Sequence, residues 1–416
     1  MTSRTLAQGI VDRIAQLAQH SEEPGVVTRR YLSDAHRRAA DLLSGWMRQA
    51  GMATRLDAVG SVRGRYEAER PDAPTLLIGS HIDSVRDAGH FDGNLGVLMG
   101  VAAAQHFRDA GRRLPFSLEV VGFGDEEGSR FPTTLSGSRA IAGHYDPAIL
   151  EEQDKAGITR RDALTAFGCD IGAISREACD PRKTLAYLDV HIEQGPVLEA
   201  QNLPVGVVTG INGARRGRVT VEGAAAHAGT TPMNLRRDAL AAAVEMIATV
   251  ERVARGTPDL VATVGQLDLH PGAVNTVPGR VTFSLDIRSP RDHDRAAAVS
   301  ALRSEFSHIA RTREVTADFT FHHSAAAAPC DQRLIDALAG CVRHAGIKPH
   351  LLPSGAGHDA MAFHGVIPFG MLFVRSAGGV SHHSAEFTSL EDIEIAAKVL
   401  IGFLESFEPA SFSRPR

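Results

Sequence analysis

Residues 75–83 read Thr-Leu-Leu-Ile-Gly-Ser-His-Ile-Asp, and residues 117–123 read Ser-Leu-Glu-Val-Val-Gly-Phe. Both are short apolar runs of strand length that end in polar or charged residues, so each predicts a strand buried on both faces. Between them, residues from about 95 to 110 keep a helical period. Strand, helix and strand in that order make a βαβ unit, and the opening part of the chain is therefore read as an α/β sheet. Working outward, amphipathic helices are predicted near 6–18 and 34–50. In open α/β sheets ligands gather beyond the carboxyl ends of the strands, which is where His81, Asp83 and the cluster Asp125-Glu126-Glu127 fall.

A different texture begins near residue 211. Residues 218–223, Arg-Val-Thr-Val-Glu-Gly, alternate like a half-buried strand. A helix is predicted over 237–255, strands over 262–267 and 281–288, and a second helix over 291–312. That order predicts a β-α-β-β-α-β-like insertion, after which the α/β texture returns. At 416 residues the chain exceeds what one core usually organises. The expected division is a catalytic domain formed by 1–210 and 326–416, interrupted by a smaller domain of sheet and helices at 211–325.

Composition narrows the partners. With 43% hydrophobic and 22% charged residues and a formal charge of -5, the chain has ordinary globular composition and no electrostatic footprint for nucleic acid. A small solute is the expected partner. No basic leader precedes an apolar run, and no run of about eighteen apolar residues could span a bilayer, so no membrane partner is expected and the protein is placed in the cytoplasm. Cys169, Cys179, Cys330 and Cys341 are scattered without a CxxC pair, which points to neither a disulfide framework nor a thiolate zinc site.

The 19 histidines are more telling, because several sit among glycines and carboxylates. His81 and Asp83 lie two apart at a strand end, a spacing that suits a metal ligand with a supporting carboxylate, although a lone strand-end histidine is more often only solvated. Asp92, in Phe91-Asp92-Gly93-Asn94, either caps the following helix or offers both oxygens to metals. Asp125-Glu126-Glu127 is either a charged surface turn or a cluster whose repulsion is relieved by cations. His191 sits in a mostly apolar alternating run, and His382 and His383 sit in a glycine-rich stretch. Together these segments offer five hard or borderline ligands at separate places in the chain.

In order, the segments GSHIDSV (79–85), FDGNLGV (91–97), DEEGSRF (125–131), HIEQGP (191–196), AAHAGTTPM (225–233), PGAVNTVPG (271–279), DIRS (286–289), SGAGHDAM (354–361) and GGVSHHSAEFT (378–388) resemble the hydantoinase/carbamoylase branch of the M20 metallopeptidase-like amidohydrolases, over nearly the whole chain. The resemblance implies an α/β metallopeptidase-like catalytic domain with an inserted α+β sandwich that serves as lid and dimerisation domain. It implies two divalent metal ions, zinc first, with manganese, cobalt or nickel as alternatives. His81, Asp92, Glu127, His191 and His382 are the implied ligands, with Asp92 bridging. Asp83 is implied to orient His81, Glu126 to act as general base and His227 to stabilise the oxyanion. Asn275 and Arg288 are implied to hold a substrate carboxylate, with Gln194, Gly357 and His358 as further substrate contacts. The family pairs two subunits through the insertion, with His227 and Asn275 reaching the partner's site, so a homodimer is implied. The implied reaction is hydrolysis of the ureido C–N bond of a small carboxylated molecule, N-carbamoyl-L-amino acids first and allantoate as the alternative. A metal-bound binding protein without catalysis is the rival, and the presence of Glu126 argues against it. Family members usually read Ser-His-Asn-Pro where this chain has Ser381-His382-His383-Ser384, which leaves the role of His383 open.

Overall fold

The computed structural model describes residues 2–412, so residue 1 and residues 413–416 of the expected catalytic domain lie outside the described residues. The chain forms two compact units. The first comprises Met1–Thr209, Cys330–Leu352 and Ala356–Arg416, and the second Gly210–Pro329 with the short segment Pro353–Gly355.

Four parallel strands make the heart of the first unit. They run side by side in the order Ser117–Phe123, Thr75–His81, Thr184–Ile192 and Phe369–Val374. Antiparallel strands flank them, Val62–Tyr66 and then Ala53–Leu56 on one side and Val205–Ile211 on the other. Every residue of Thr75–His81 and of Thr184–Ile192 is buried, as expected for parallel strands covered on both faces. Asp189 and His191, which give residues 188–193 their alternating look, are therefore as buried as their apolar neighbours.

The βαβ crossover is the helix Asn94–Asp109, buried almost all the way round. It lies close on the sheet because Gly96 has no side chain: a Cβ there would stand 2.0 Å from the carbonyl oxygen of Val190. The helices Ser3–Ala18 and Asp34–Gln49 begin at Thr2 and Ser33, whose side chains accept main-chain N–H groups of the first turn, and they bury one face each. Each fully buried Leu, Ile or Val in this layer contributes about 1.5–3 kcal/mol.

In the second unit an antiparallel sheet runs in the order Leu267–His270, Arg280–Ser289, Gly213–Glu222 and Thr316–Ala325, with Val261–Thr263 also paired to Arg280–Ser289. The helices Ala239–Arg255 and Asp292–Thr312 bury Met246, Leu302 and Phe306 against Val219, Val221, Phe283 and Leu285. The single strand predicted over 262–267 is in fact two short strands. The break falls where the N–H groups of Gly265 and Gln266 donate to the hydroxyl of Ser284, at 3.2 and 2.9 Å, instead of to a ladder carbonyl. Among the described residues no helix is long and apolar enough to cross a membrane.

Candidate metal centre

The parallel register sets the centre. Gly79 stands opposite Asp189, so two residues further on His81 and His191 share a row and a face at the carboxyl edge of the sheet. Their Nε2 atoms are 3.5 Å apart. The Nδ1 of His81 lies 2.9 Å from the carbonyl oxygen of Asp83, and that of His191 lies 2.9 Å from the carbonyl oxygen of Ile192. A carbonyl only accepts, so each Nδ1 carries the proton and each Nε2 of the neutral ring presents a bare lone pair. Both lone pairs face Asp92 Oδ1, at 3.3 and 3.2 Å. That oxygen is buried and has no hydrogen-bond partner among the described residues. Three lone pairs converging in a buried site repel one another unless a cation sits among them.

Asp92 is not the helix cap. The cap position belongs to Gly93, at φ +67°, where a Cβ would stand 2.5 Å from His81, so the tight turn requires glycine and aims Asp92 inward. Its second oxygen, Oδ2, lies 3.3 Å from His382 Nε2, which in turn is 3.5 Å from Glu127 Oε2. Asp92 thus belongs to two donor groups, His81–Asp92–His191 and Asp92–Glu127–His382, with all ligand atoms of each group within 4.8 Å of one another. A mixed set of imidazole nitrogen and carboxylate oxygen suits zinc and neighbouring divalent metals. His382 differs from the other four in exposure: its side chain is 49% exposed, on the loop that follows Phe369–Val374.

The acidic cluster resolves into opposed directions. Asp125, at φ +70°, turns its fully buried carboxylate onto Arg160 and Ser136. Burial pushes its pKa up to about 7 against the opposing pull of Arg160. It is therefore no surface turn. Asp83 holds the next two residues: its carboxylate accepts the N–H groups of Glu126 and Glu127 at 3.1 and 3.3 Å. Its contact with His81 is made by the main-chain carbonyl, since the carboxylate is 3.9 Å from Nδ1. Burial pushes the Glu127 carboxyl up to about 7, with Asp92 adding to the effect. Burial also raises Glu126 well above the usual range, reinforced by Glu127 and Asp359 and opposed by His81. Asp92 draws the proton affinity of His382 up to about 9. The pocket as a whole is one that favours positive charge.

Of the expected substrate contacts, Gln194 donates its amide to Asp92 Oδ2 at 2.9 Å, while its own Oε1 is buried without a hydrogen-bond partner among the described residues. His358 is buried behind the centre, its ring 4.5 Å from that of His191, and Gly357 is exposed beside it. In the second unit His227 and Asn275 are brought together: His227 pairs with Thr276, and the N–H of Ala228 donates to the Asn275 carbonyl at 2.9 Å. Arg288 is engaged by Asp286 at 2.9 and 2.8 Å and by the Gly355 carbonyl at 2.6 Å. His383 is exposed, and its Nδ1 accepts the N–H of Ala385 at 3.0 Å. Four further groups were not singled out from sequence: Arg160 on Asp125, Ser381 and Glu386 beside Asp92, and the buried Asp359, which burial raises to about 8. Ser381, Glu386 and Asp359 lie inside the motif segments quoted above without a role being assigned to them, whereas nothing local marks Arg160, which meets Asp125 only across the fold.

The pattern of peptidase family M20/M25/M40 matches residues 77–406. An N-carbamoyl-L-amino acid amidohydrolase of Geobacillus stearothermophilus is 42% identical over 389 residues, covering 93% of this chain and 95% of that protein. The allantoate deiminase of Arabidopsis thaliana is 38% identical over 427 residues, covering 95% and 81%. Among solved structures, a hydantoinase/carbamoylase family amidase from Burkholderia multivorans superposes with a TM-score of 0.91 at 33% identity, covering 99% of this chain and 98% of that one.

Proposed function

Because the chain belongs to peptidase family M20/M25/M40, we propose that it is a metal-dependent hydrolase of the ureido C–N bond in small carboxylated molecules. N-carbamoyl-L-amino acids are the first choice of substrate, released as amino acid, ammonia and carbon dioxide. Allantoate is the second, favoured by the likeness to allantoate deiminases. The observation that carries the reading is the sharing of Asp92 between two donor groups, with Glu126 beside them and in neither. A binding protein without catalysis would have no use for that free carboxylate.

His81, Asp92 and His191 would hold one divalent ion, and Asp92, Glu127 and His382 the other, zinc first with manganese, cobalt or nickel as alternatives. Bound there, the ions supply an acidified water and a Lewis acid for the carbonyl oxygen. Glu126 takes a proton from the attacking water and passes it to the departing nitrogen, a task suited to a carboxylate whose proton affinity burial has raised. His227 accepts the N–H of Gly229 at Nδ1, so its Nε2 carries the proton and is free to donate to the growing oxyanion. Arg288 keeps one N–H on each terminal nitrogen beyond those given to Asp286 and Gly355, a fork for a substrate carboxylate.

The strand Arg280–Ser289 supports a homodimer. His227 and Asn275 lie beyond its Arg280 end, and Arg288 is eight residues along, about 26 Å at the usual rise. His227 and Arg288 thus belong to opposite ends of this strand, and we assign His227 and Asn275 to the partner's site. Exposed Met233 and Leu235, at 76% and 69%, follow His227 six and eight residues on in the chain and suit such an interface. Four free cysteines suit a reducing cytoplasm.

The deciding experiment offers zinc- or manganese-loaded protein a panel of N-carbamoyl-L-amino acids, N-carbamoyl-β-alanine, allantoate and ureidoglycolate and measures ammonia. Release from an N-carbamoyl-L-amino acid ahead of the others is expected. Release from none of them would end the proposal.

A further inference from the structure

Glu386 lies in the loop that bears His382 and is buried, although its neighbours Ala385 and Phe387 are exposed. One oxygen, Oε1, accepts the N–H groups of Phe91 and Asp92 at 2.8 and 3.0 Å. The other, Oε2, is 3.0 Å from the hydroxyl of Ser381, which is itself 2.9 Å from Asp92 Oδ2, the oxygen that faces His382. Space for this carboxylate exists because residue 89 is glycine: a Cβ there would stand 2.3 Å from the Glu386 carboxyl group. A buried carboxylate is costly unless its oxygens are engaged, and these are engaged entirely with groups that position Asp92.

We infer that Glu386 is a positioning residue for one of the two cation sites: it grips the main chain at Phe91 and Asp92 with one oxygen and Ser381 with the other, setting Asp92 Oδ2 and His382 Nε2 at a separation that a single cation spans. The two donor groups differ in this respect. His81 and His191 are strand-end residues, each held by a main-chain carbonyl at Nδ1. His382, at φ +55° on an irregular loop, has no such carbonyl contact among the described residues, and the Glu386–Ser381–Asp92 chain ties its loop to the carboxylate it shares. Loss of Glu386 should then loosen the Asp92–Glu127–His382 position more than His81–Asp92–His191, which shares Asp92 but keeps two strand-end histidines. The inference rests on the dinuclear reading above.

The test is metal binding, not turnover. Metal-stripped full-length protein is titrated with Co2+ against a chromophoric chelator while the visible d–d absorption is followed, giving a Kd for each equivalent. In E386A one equivalent should weaken by about tenfold to a hundredfold, the range for groups that orient a ligand, while the other stays within about threefold of the parent. E386Q should bind both equivalents like the parent, because the amide oxygen still accepts both N–H groups and the amide nitrogen can donate to Ser381. S381A should weaken the same equivalent as E386A, and it decides the matter together with E386Q if E386A does not fold. Equal weakening of both equivalents, E386Q as damaging as E386A, or S381A without effect would each overturn the assignment. A parent protein that takes up fewer than two equivalents would instead sink the dinuclear reading itself.

Discussion

The Nε2 atoms of His81 and His191 stand 3.5 Å apart, and each ring has its Nδ1 on a main-chain carbonyl, so that in the neutral ring the lone pair lies on Nε2. Two lone pairs at that separation, aimed at one buried carboxylate oxygen, make a donor set that a divalent cation would fit.

Adding zinc to the stripped protein should therefore stabilise it, by about 4 kcal/mol when free metal exceeds Kd a thousandfold. His191→Ala removes a ligand from one donor group, so its thermal shift on zinc addition should be markedly smaller and its bound metal should fall by at least one equivalent by elemental analysis. An unchanged shift in that variant would exclude His191 from the centre.

Glu126 offers a sharper separation of binding from chemistry. Glu126→Gln keeps size and the main-chain contact with Asp83, so two metal equivalents should remain. The rate constant kcat should nevertheless fall by about 10²–10⁴, the usual worth of a general acid–base group. Steady-state kinetics with metal analysis on the same sample checks both halves, and full activity would remove the assignment.

Arg288 should show itself in KM. Arg288→Ala removes charge-assisted hydrogen bonds worth about 1.5–3 kcal/mol, or roughly tenfold to a hundredfold in KM for carboxylated substrates. Analogues without the carboxylate should be little affected. Equal losses on both would mean that Arg288 acts through Asp286 and the fold, not on the substrate.

A fourth expectation concerns stability and acid. His36 is fully buried against Phe167, with Nδ1 accepting the N–H of Leu32 at 2.9 Å, and burial, aided by Arg29 and Arg37, lowers its pKa to about 3. Below about pH 6.5 the unfolded chain takes a proton on this residue that the folded chain refuses until about pH 3. The stability due to the neutral ring is present above that window and is lost on acidification, at about 1.4 kcal/mol per pH unit. His36→Gln should be less stable at pH 7.5, but urea midpoints of metal-free protein should converge with the parent as pH falls to 5. A constant gap between the two would refute the buried neutral histidine.

Much of the framework was legible in the chain. Apolar runs placed strands at 75–80 and 117–123, and helical periodicity placed a helix over about 95–110 between them, where the structure has Thr75–His81, Ser117–Phe123 and Asn94–Asp109, because burial on two faces and helical repetition are properties of neighbouring residues. The motif order named the five candidate ligands, and the donor groups contain all five. Periodicity failed at residues 262–267, where a serine hydroxyl from another strand takes the main-chain N–H groups. It was silent on which carboxylate of Asp125-Glu126-Glu127 turns inward, because Arg160 is needed to decide it.

What the sequence determined by itself is the type and order of elements and the chemical kinds of side chain at their ends. What only the tertiary structure decided is which atoms meet: the row shared by His81 and His191, the proton placement that bares their Nε2 atoms, the length of strand between Arg288 and His227, and the grip of Glu386 on Phe91, 295 positions away. Local patterning reaches only a few residues along the chain, whereas these contacts depend on strand order and register, which bring distant segments to one edge of one sheet.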